Sequence, residues 1–139
     1  MKLTHNVSLE VRGPDGELKE RREAHNLVPT VGKEAIAKLL KEGSERPLYI
    51  AVGTGTEEPA AGDTKLKTEK KRLAATVSVS GAVLKLEKEF AAGEAEGAIT
   101  EEGILSASSE GTLYAHTKFA AVNIGALDTL KVTHTITVG

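Results

Sequence analysis

Between Leu113 and Val138 the chain alternates apolar and polar residues with a period of two, and no other feature constrains the fold as strongly. Leu113, Ala115, Thr117, Phe119 and Ala121 share one face of the first run, with Tyr114, His116 and Lys118 on the other. Asn123-Ile124-Gly125 turns the chain. Leu130, Val132, His134, Ile136 and Val138 then oppose Thr129, Lys131, Thr133, Thr135 and Thr137. Side chains leave a strand on alternate sides, so both runs read as half-buried strands with a β-favouring threonine row toward water.

The same period recurs upstream. Val7, Leu9 and Val11 define a strand over residues 5–12, and Gly13-Pro14-Asp15-Gly16 is a strong turn signal. Residues 17–25 return as its hairpin partner. Only Leu18 and Ala24 are apolar there, with Glu20 and Arg22 between them, the pattern of an exposed edge protected by charge. Residues 48–52 are apolar on both faces and suit a strand covered on both sides. Residues 72–80 alternate as one strand, with Leu73, Ala75, Val77 and Val79 on a common face, and Gly81 turns the chain into residues 82–90. There Ala82, Leu84, Leu86 and Phe90 share a face with Lys88, whose stem lets its charge reach water. Residues 91–103, AAGEAEGAITEEG, read as a glycine-punctuated connection with a short strand near Ile99.

One stretch breaks the period of two. Val31, Ala35, Ile36, Leu39 and Leu40 recur at helical spacing over residues 30–42, with Thr30 placed to cap the start and Gly43 to end it. A lone helix of about three turns is marginal in water, so its apolar stripe must pack on a sheet. The strand beneath it is expected to be residues 48–52. The sum is about eight strands and one helix in a single domain, residues 1–139. The expected fold is mainly β, an antiparallel sandwich or flattened barrel with the helix packed on it.

Composition narrows the function classes. A net charge of −2, from 18 basic and 20 acidic residues interspersed along the chain, leaves no electrostatic footprint for nucleic acid or an anionic membrane. With no cysteine, neither disulfides nor thiolate metal sites are available. Two Tyr, two Phe and no Trp leave the core to Val, Leu, Ile and Ala. Abundant Glu and Lys fit a heat-tolerant protein. Neither a signal peptide nor a transmembrane stretch is expected, and synthesis in the cytoplasm is the expectation.

Candidate chemistry is sparse. Gly53-Thr54-Gly55-Thr56 follows a strand as a phosphate loop does, but Glu57, Glu58 and Pro59 come next and would repel a phosphate, so a structural turn is expected. His5, His25, His116 and His134 show no metal-ligand spacing. His116 and His134 are placed for contact only if their strands pair, and then on opposite faces. His134 reads as a satisfied core residue. The pairs Glu57-Glu58, Glu94 with Glu96, and Glu101-Glu102 read as solvated loop charge. Lys65, Lys67, Lys70, Lys71 and Arg72 are interleaved with Glu69 and lack stacking aromatics. No nucleophile elbow is present. No catalytic, cofactor-binding or metal-ligating residue is assigned, and the chain is expected not to be an enzyme.

An ordered set of motifs runs through the chain. Asn26-Leu27-Val28 precedes Val31-Gly32-Lys33-Glu34-Ala35-Ile36-Ala37-Lys38-Leu39-Leu40, followed by Tyr49-Ile50-Ala51-Val52-Gly53-Thr54-Gly55-Thr56 and Ala60-Ala61-Gly62-Asp63-Thr64 with Leu66. Ala92-Gly93-Glu94-Ala95, Gly97, Ile99, Glu101 and Gly103-Ile104-Leu105 come next. Gly111-Thr112-Leu113-Tyr114-Ala115 and Asp128-Thr129-Leu130-Lys131-Val132-Thr133 close the set. From Leu3 to Val138 the chain resembles a family of small tailed-phage and prophage virion proteins described as tail-fibre-like. His116 and His134 depart from it, standing where an arginine and an aromatic residue are expected. The resemblance implies a non-enzymatic, tail-associated structural protein of the virion, assembling with copies of itself and with other virion proteins. It brings no catalytic motif. A capsid decoration protein, or a receptor- or glycan-binding module, are the alternatives. The glycan reading predicts Tyr49 and Tyr114 together on one concave surface.

Overall fold

The computed structural model describes residues 3–32, 35, 36, 39, 45–81 and 83–138. Among the described residues the alternating runs fold as nine strands: β1 (Leu3–Arg12), β2 (Leu18–His25), β3 (Tyr49–Gly53), β4 (Glu69–Ala74), β5 (Thr76–Ser80), β6 (Val83–Phe90), β7 (Gly97–Leu105), β8 (Leu113–Ile124) and β9 (Thr129–Val138). They form two separate antiparallel sheets, one in the order β2-β1-β9-β6-β5 and one in the order β4-β3-β7-β8. The fold is therefore an open sandwich rather than a closed barrel.

Period-two alternation puts one face of each sheet into the space between them. Val7, Leu9 and Val11 of β1, Leu86 and Phe90 of β6, and Leu130 and Val132 of β9 meet Ile50 and Val52 of β3, Ile99 and Ile104 of β7, and Ala115 and Val122 of β8. Phe90 is the only fully buried ring among otherwise aliphatic residues in that set. A second, smaller cluster lies on the outer face of the four-stranded sheet, where Ala51, Leu105 and Leu113 are covered by Leu66 from the β3–β4 loop. Gly103 makes room for that cover. A Cβ there would lie 2.8 Å from Leu66 Cδ1 and 2.7 Å from the Ala115 carbonyl. The apolar run 48–52 is thus covered on both faces, its outer cover being a loop.

Residues 30–32, 35, 36 and 39 are helical, and the other positions of the expected 30–42 helix lie outside the described residues. Ala35 belongs to the core, with Ile36 and Leu39 packed against it. The first turn lies against the start of β8, and Ala35 shares the core cluster with Ile50 and Val52 of β3. A Cβ at Gly32 would lie 2.9 Å from the Leu113 carbonyl and 3.1 Å from Tyr114 Cα.

Three strand assignments differ from the sequence reading. Residues 72–80 do not form one strand. The chain passes from one sheet to the other at Ala75, whose N–H donates to the Leu48 carbonyl at 2.8 Å. Residues before it pair with β3 and residues after it with β6. The alternation hides this because the inward face is kept across the bend. Next, β7 is nine residues long and includes Glu101 and Glu102, where the sequence predicts a polar connection. Finally, β8 and β9 lie in different sheets, so His116 and His134 are not on paired strands. Extra residues in β8 also re-aim its side chains: Ile104 opposes Ala115 but Leu105 opposes Leu113, and Ile99 opposes Val122 while Glu101 opposes Lys118. Leu113 consequently joins the outer cluster, whereas Ala115 and Val122 face the inner core. Among the described residues, no helix is long and apolar enough to cross a membrane.

Candidate functional site

Consecutive residues of a strand point to opposite faces, so Glu101 and Glu102 of β7 look into different compartments. Both are buried, at 1% and 0% exposure. The expectation of solvated loop charge fails for this pair: Glu101 is met at both oxygens, while Glu102 is met by His134 at Oε2 and keeps a buried Oε1 without a hydrogen-bond partner. A buried charge persists only when paired and hydrogen-bonded.

Glu101 faces outward, beneath the β3–β4 loop. Its Oε2 accepts the backbone N–H groups of Gly55 and Thr68, each at 2.7 Å. Its Oε1 accepts the N–H of Lys67 at 2.8 Å and lies 2.8 Å from His116 Nε2. On the far side of the ring, His116 Nδ1 is 2.9 Å from Asp63 Oδ2. Asp63 in turn accepts the Ala60 N–H at 2.8 Å and holds Lys67 Nζ at 2.8 Å. A carboxylate offers about four acceptor positions, and here four donors meet it. Gly53-Thr54-Gly55-Thr56 therefore does share the physics of a phosphate loop, presenting backbone N–H to an anion, but that anion is Glu101. Burial pushes the Glu101 carboxyl up. The donors from Thr68, Lys67, His116 and Gly55 together outweigh burial and hold it below the ordinary carboxylate value. Asp63 behaves alike, with burial outweighed by Lys67, the Ala60 N–H and His116.

The glycines follow from this close approach. A Cβ at Gly55 would stand 2.3 Å from Glu101 Oε2, and one at Gly53 would stand 2.3 Å from the Thr68 carbonyl. The second clash is with backbone and has no rotamer to relieve it. Gly53→Ala is expected to cost about 1–3 kcal/mol, read as a lower denaturant midpoint. A midpoint equal to that of the parent would show that the loop does not sit this close.

Glu102 faces inward, across the core. Its Oε2 is 2.7 Å from His134 Nε2, His134 Nδ1 is 2.5 Å from His5 Nε2, and His5 Nδ1 is 2.8 Å from Asn26 Nδ2. An amide nitrogen only donates, so hydrogens run one way along the chain, from Asn26 through His5 and His134 to Glu102. His134 is thus a satisfied core residue, as its place on an apolar face suggested. Burial, with the nearby His134 adding to it, lowers the His5 pKa from 6.5 to about 3. The sign for stability follows. As pH falls from 6.5 the unfolded chain takes up a proton at position 5 that the folded chain refuses, so stability declines, by up to about 1.4 kcal/mol per pH unit. The depressed Asp63 and Glu101 add a loss in the same direction, but only once pH drops below their ordinary values of 3.8 and 4.5 and through their lower folded ones. His5→Phe is expected to flatten the dependence of the urea midpoint on pH between 6.5 and about 5. An unchanged slope would contradict a proton-refusing His5.

Among the described residues the outer network is met at every oxygen of Glu101, while the inner line leaves Glu102 Oε1 and Asn26 Oδ1 buried without partners. The groups stand end to end, not converging on a point. The cavity beside His5, bounded by Val28, Ile36, Tyr114 and Ile136, is about 50 Å³, room for a few water molecules at most. Tyr114 is buried with its hydroxyl donating to the Glu45 carbonyl, and burial plus the Glu45 charge raise its pKa to about 12. Tyr49 is half-buried on β3. The larger groove, about 420 Å³, lies on the outer face of the five-stranded sheet among Asn6, Ser8, Arg21, His25, Thr133 and Thr135. Neither tyrosine lines it, so the aromatic pair expected for a glycan site is not assembled.

The remaining sequence candidates serve local structure. Lys67 is held by Asp63. Arg72 grips Glu69 with two nitrogens and donates to the carbonyls of Ala107 and Glu110. Glu58 pairs with Lys118, and Glu94 accepts the Ala91 N–H. Glu57 and Glu96 are exposed. Sequence reasoning missed Asp63 and His5 as partners of the other histidines, and it misplaced Glu101 and Glu102. The available signal was a Glu-Glu pair running directly into Gly103-Ile104-Leu105, an apolar strand end. No family model, curated protein or solved structure matches this chain.

Proposed function

We propose that the chain is a non-enzymatic structural protein of a tailed-phage particle, tail-associated, which docks with other copies of itself and with other virion proteins. The observation that carries this reading is the state of its buried titratable groups. The four donors around Glu101 fix a loop to a sheet, and the Glu102–His134–His5 line fixes one sheet to the other. Most polar atoms of these buried groups are engaged in holding loop to sheet and sheet to sheet, Glu102 Oε1 and Asn26 Oδ1 being the exceptions. A rigid sandwich suits a part that repeats by symmetry.

The resemblance adds support at the level of residues. Gly53, Gly55, Asp63, Leu66, Glu101 and Gly103 all belong to the motifs that carry it, and all build the cradle or its cover. The likeness is therefore to a strapped-loop scaffold, with no reaction centre brought along.

The test is to purify particles from a host carrying the gene and to locate the chain in them. It is expected at fixed stoichiometry in gradient-purified virions, with antibody label on the tail. Label on the head would move it to capsid decoration. Its absence from particles, or hydrolysis of a sugar or ester panel by the purified protein, would overturn the reading.

A further inference from the structure

The four sheet edges are not alike. Edge strand β2 carries five consecutive charges, Lys19 to Glu23, and β4 carries four, Glu69 to Arg72. Part of β8 is bridged by Leu27, which exchanges backbone hydrogen bonds with His116. Edge strand β5 has neither device. It sits in a run free of charge from residue 73 to residue 84, and all five of its residues are exposed. An uncovered, uncharged edge is a template for another strand.

Its sequence states which strand. Thr76-Val77-Ser78-Val79-Ser80 is nearly the same read in either direction. Laid antiparallel on a second copy about Ser78, it opposes Val77 to Val79 on one face and Thr76 to Ser80, with Ser78 to itself, on the other. Valine pairs and hydroxyl pairs are favourable cross-strand neighbours. Val77 and Val79 lie opposite Leu86 and Leu84 of β6, yet they are 38% and 70% exposed. Pairing would cover them.

We propose that two copies of this chain join at β5 through an antiparallel, two-fold contact centred on Ser78, giving one continuous ten-stranded sheet. This names the self-contact within the assembly reading above. Two five-residue strands bury less than a standard interface, so the contact is weak alone, with a Kd of about 10–100 µM. It strengthens where copies are held close together, as in a repeating particle.

The chain has no cysteine, so single cysteine variants report position cleanly. Under mild oxidation at about 0.1 mM protein, Ser78→Cys is expected to yield a disulfide dimer. Thr76→Cys and Ser80→Cys are each expected to stay monomeric alone and to cross-link when mixed. Val79→Asp is expected to remain folded and to sediment as a monomer, and mixing it with Val77→Lys is expected to restore the dimer. Equal cross-linking at all three positions, or a parent that sediments as a monomer at every concentration up to about 1 mM, would overturn the proposal. Those outcomes remove this contact without touching particle location. Absence from virions would remove the phage role without touching the dimer.

Discussion

Glu101→Ala is expected to lower stability by about 4 kcal/mol. The change removes the shared acceptor of three backbone N–H groups and one side of His116. Each buried donor left without a partner costs about 1–3 kcal/mol. Were the loop to stay down, three such donors would cost about 3–9 kcal/mol together. Were it to lift, water would satisfy them, but Leu66 would leave Ala51, Leu105 and Leu113 uncovered. The cost is therefore bounded by the cheaper route, and for a domain holding about 5–15 kcal/mol in all it is a large share. Glu101→Gln keeps the shape but turns an NH2 toward donors at one of the two oxygen positions, so about half the loss is expected. Chemical denaturation of the two variants checks the order. Parent-like stability of Glu101→Ala would mean the loop is held by something else.

The inner pair is expected to behave differently when both members are changed together. His134→Leu or Glu102→Leu alone should cost about 3–5 kcal/mol, since each strands a buried polar partner in the core. Glu102→Leu with His134→Leu should cost less than either single change, because an apolar pair of similar volume removes the desolvation penalty along with the bond. The residual loss belongs to His5, whose Nε2 then faces no acceptor. A double-mutant cycle measures this directly. Simple additivity of the two single costs would show that Glu102 and His134 do not act as a pair across the sheets.

How much of this was visible beforehand depended on whether a residue's environment is local. The hairpin of β1 and β2 was readable because Gly13-Pro14-Asp15-Gly16 and the two flanking runs lie within one stretch of chain. The charged edge at β2 was readable for the same reason. The bend at Ala75 was not, since a strand changing sheets keeps its alternation and signals nothing through period alone. Glu101 was misread for a deeper reason. Its partners, Gly55, Lys67, Thr68 and His116, come from two distant segments, and a glutamate carries no mark in sequence that says its charge will be met. The same holds for His5, tied to His134 across 129 positions. The anion that the Gly-Thr-Gly-Thr turn meets went unrecognised because it is part of the same chain.

Amide hydrogen exchange at Gly55, Lys67 and Thr68 bears most directly on the claim that an internal carboxylate organises the molecule. In the parent protein at neutral pH these three amides are predicted to exchange as slowly as those of the central strands. In Glu101→Ala they are predicted to become fast while β1 and β9 remain protected. Rapid exchange of all three in the parent would contradict the account, since it would place the loop in water and leave Glu101 without the donors on which its burial depends.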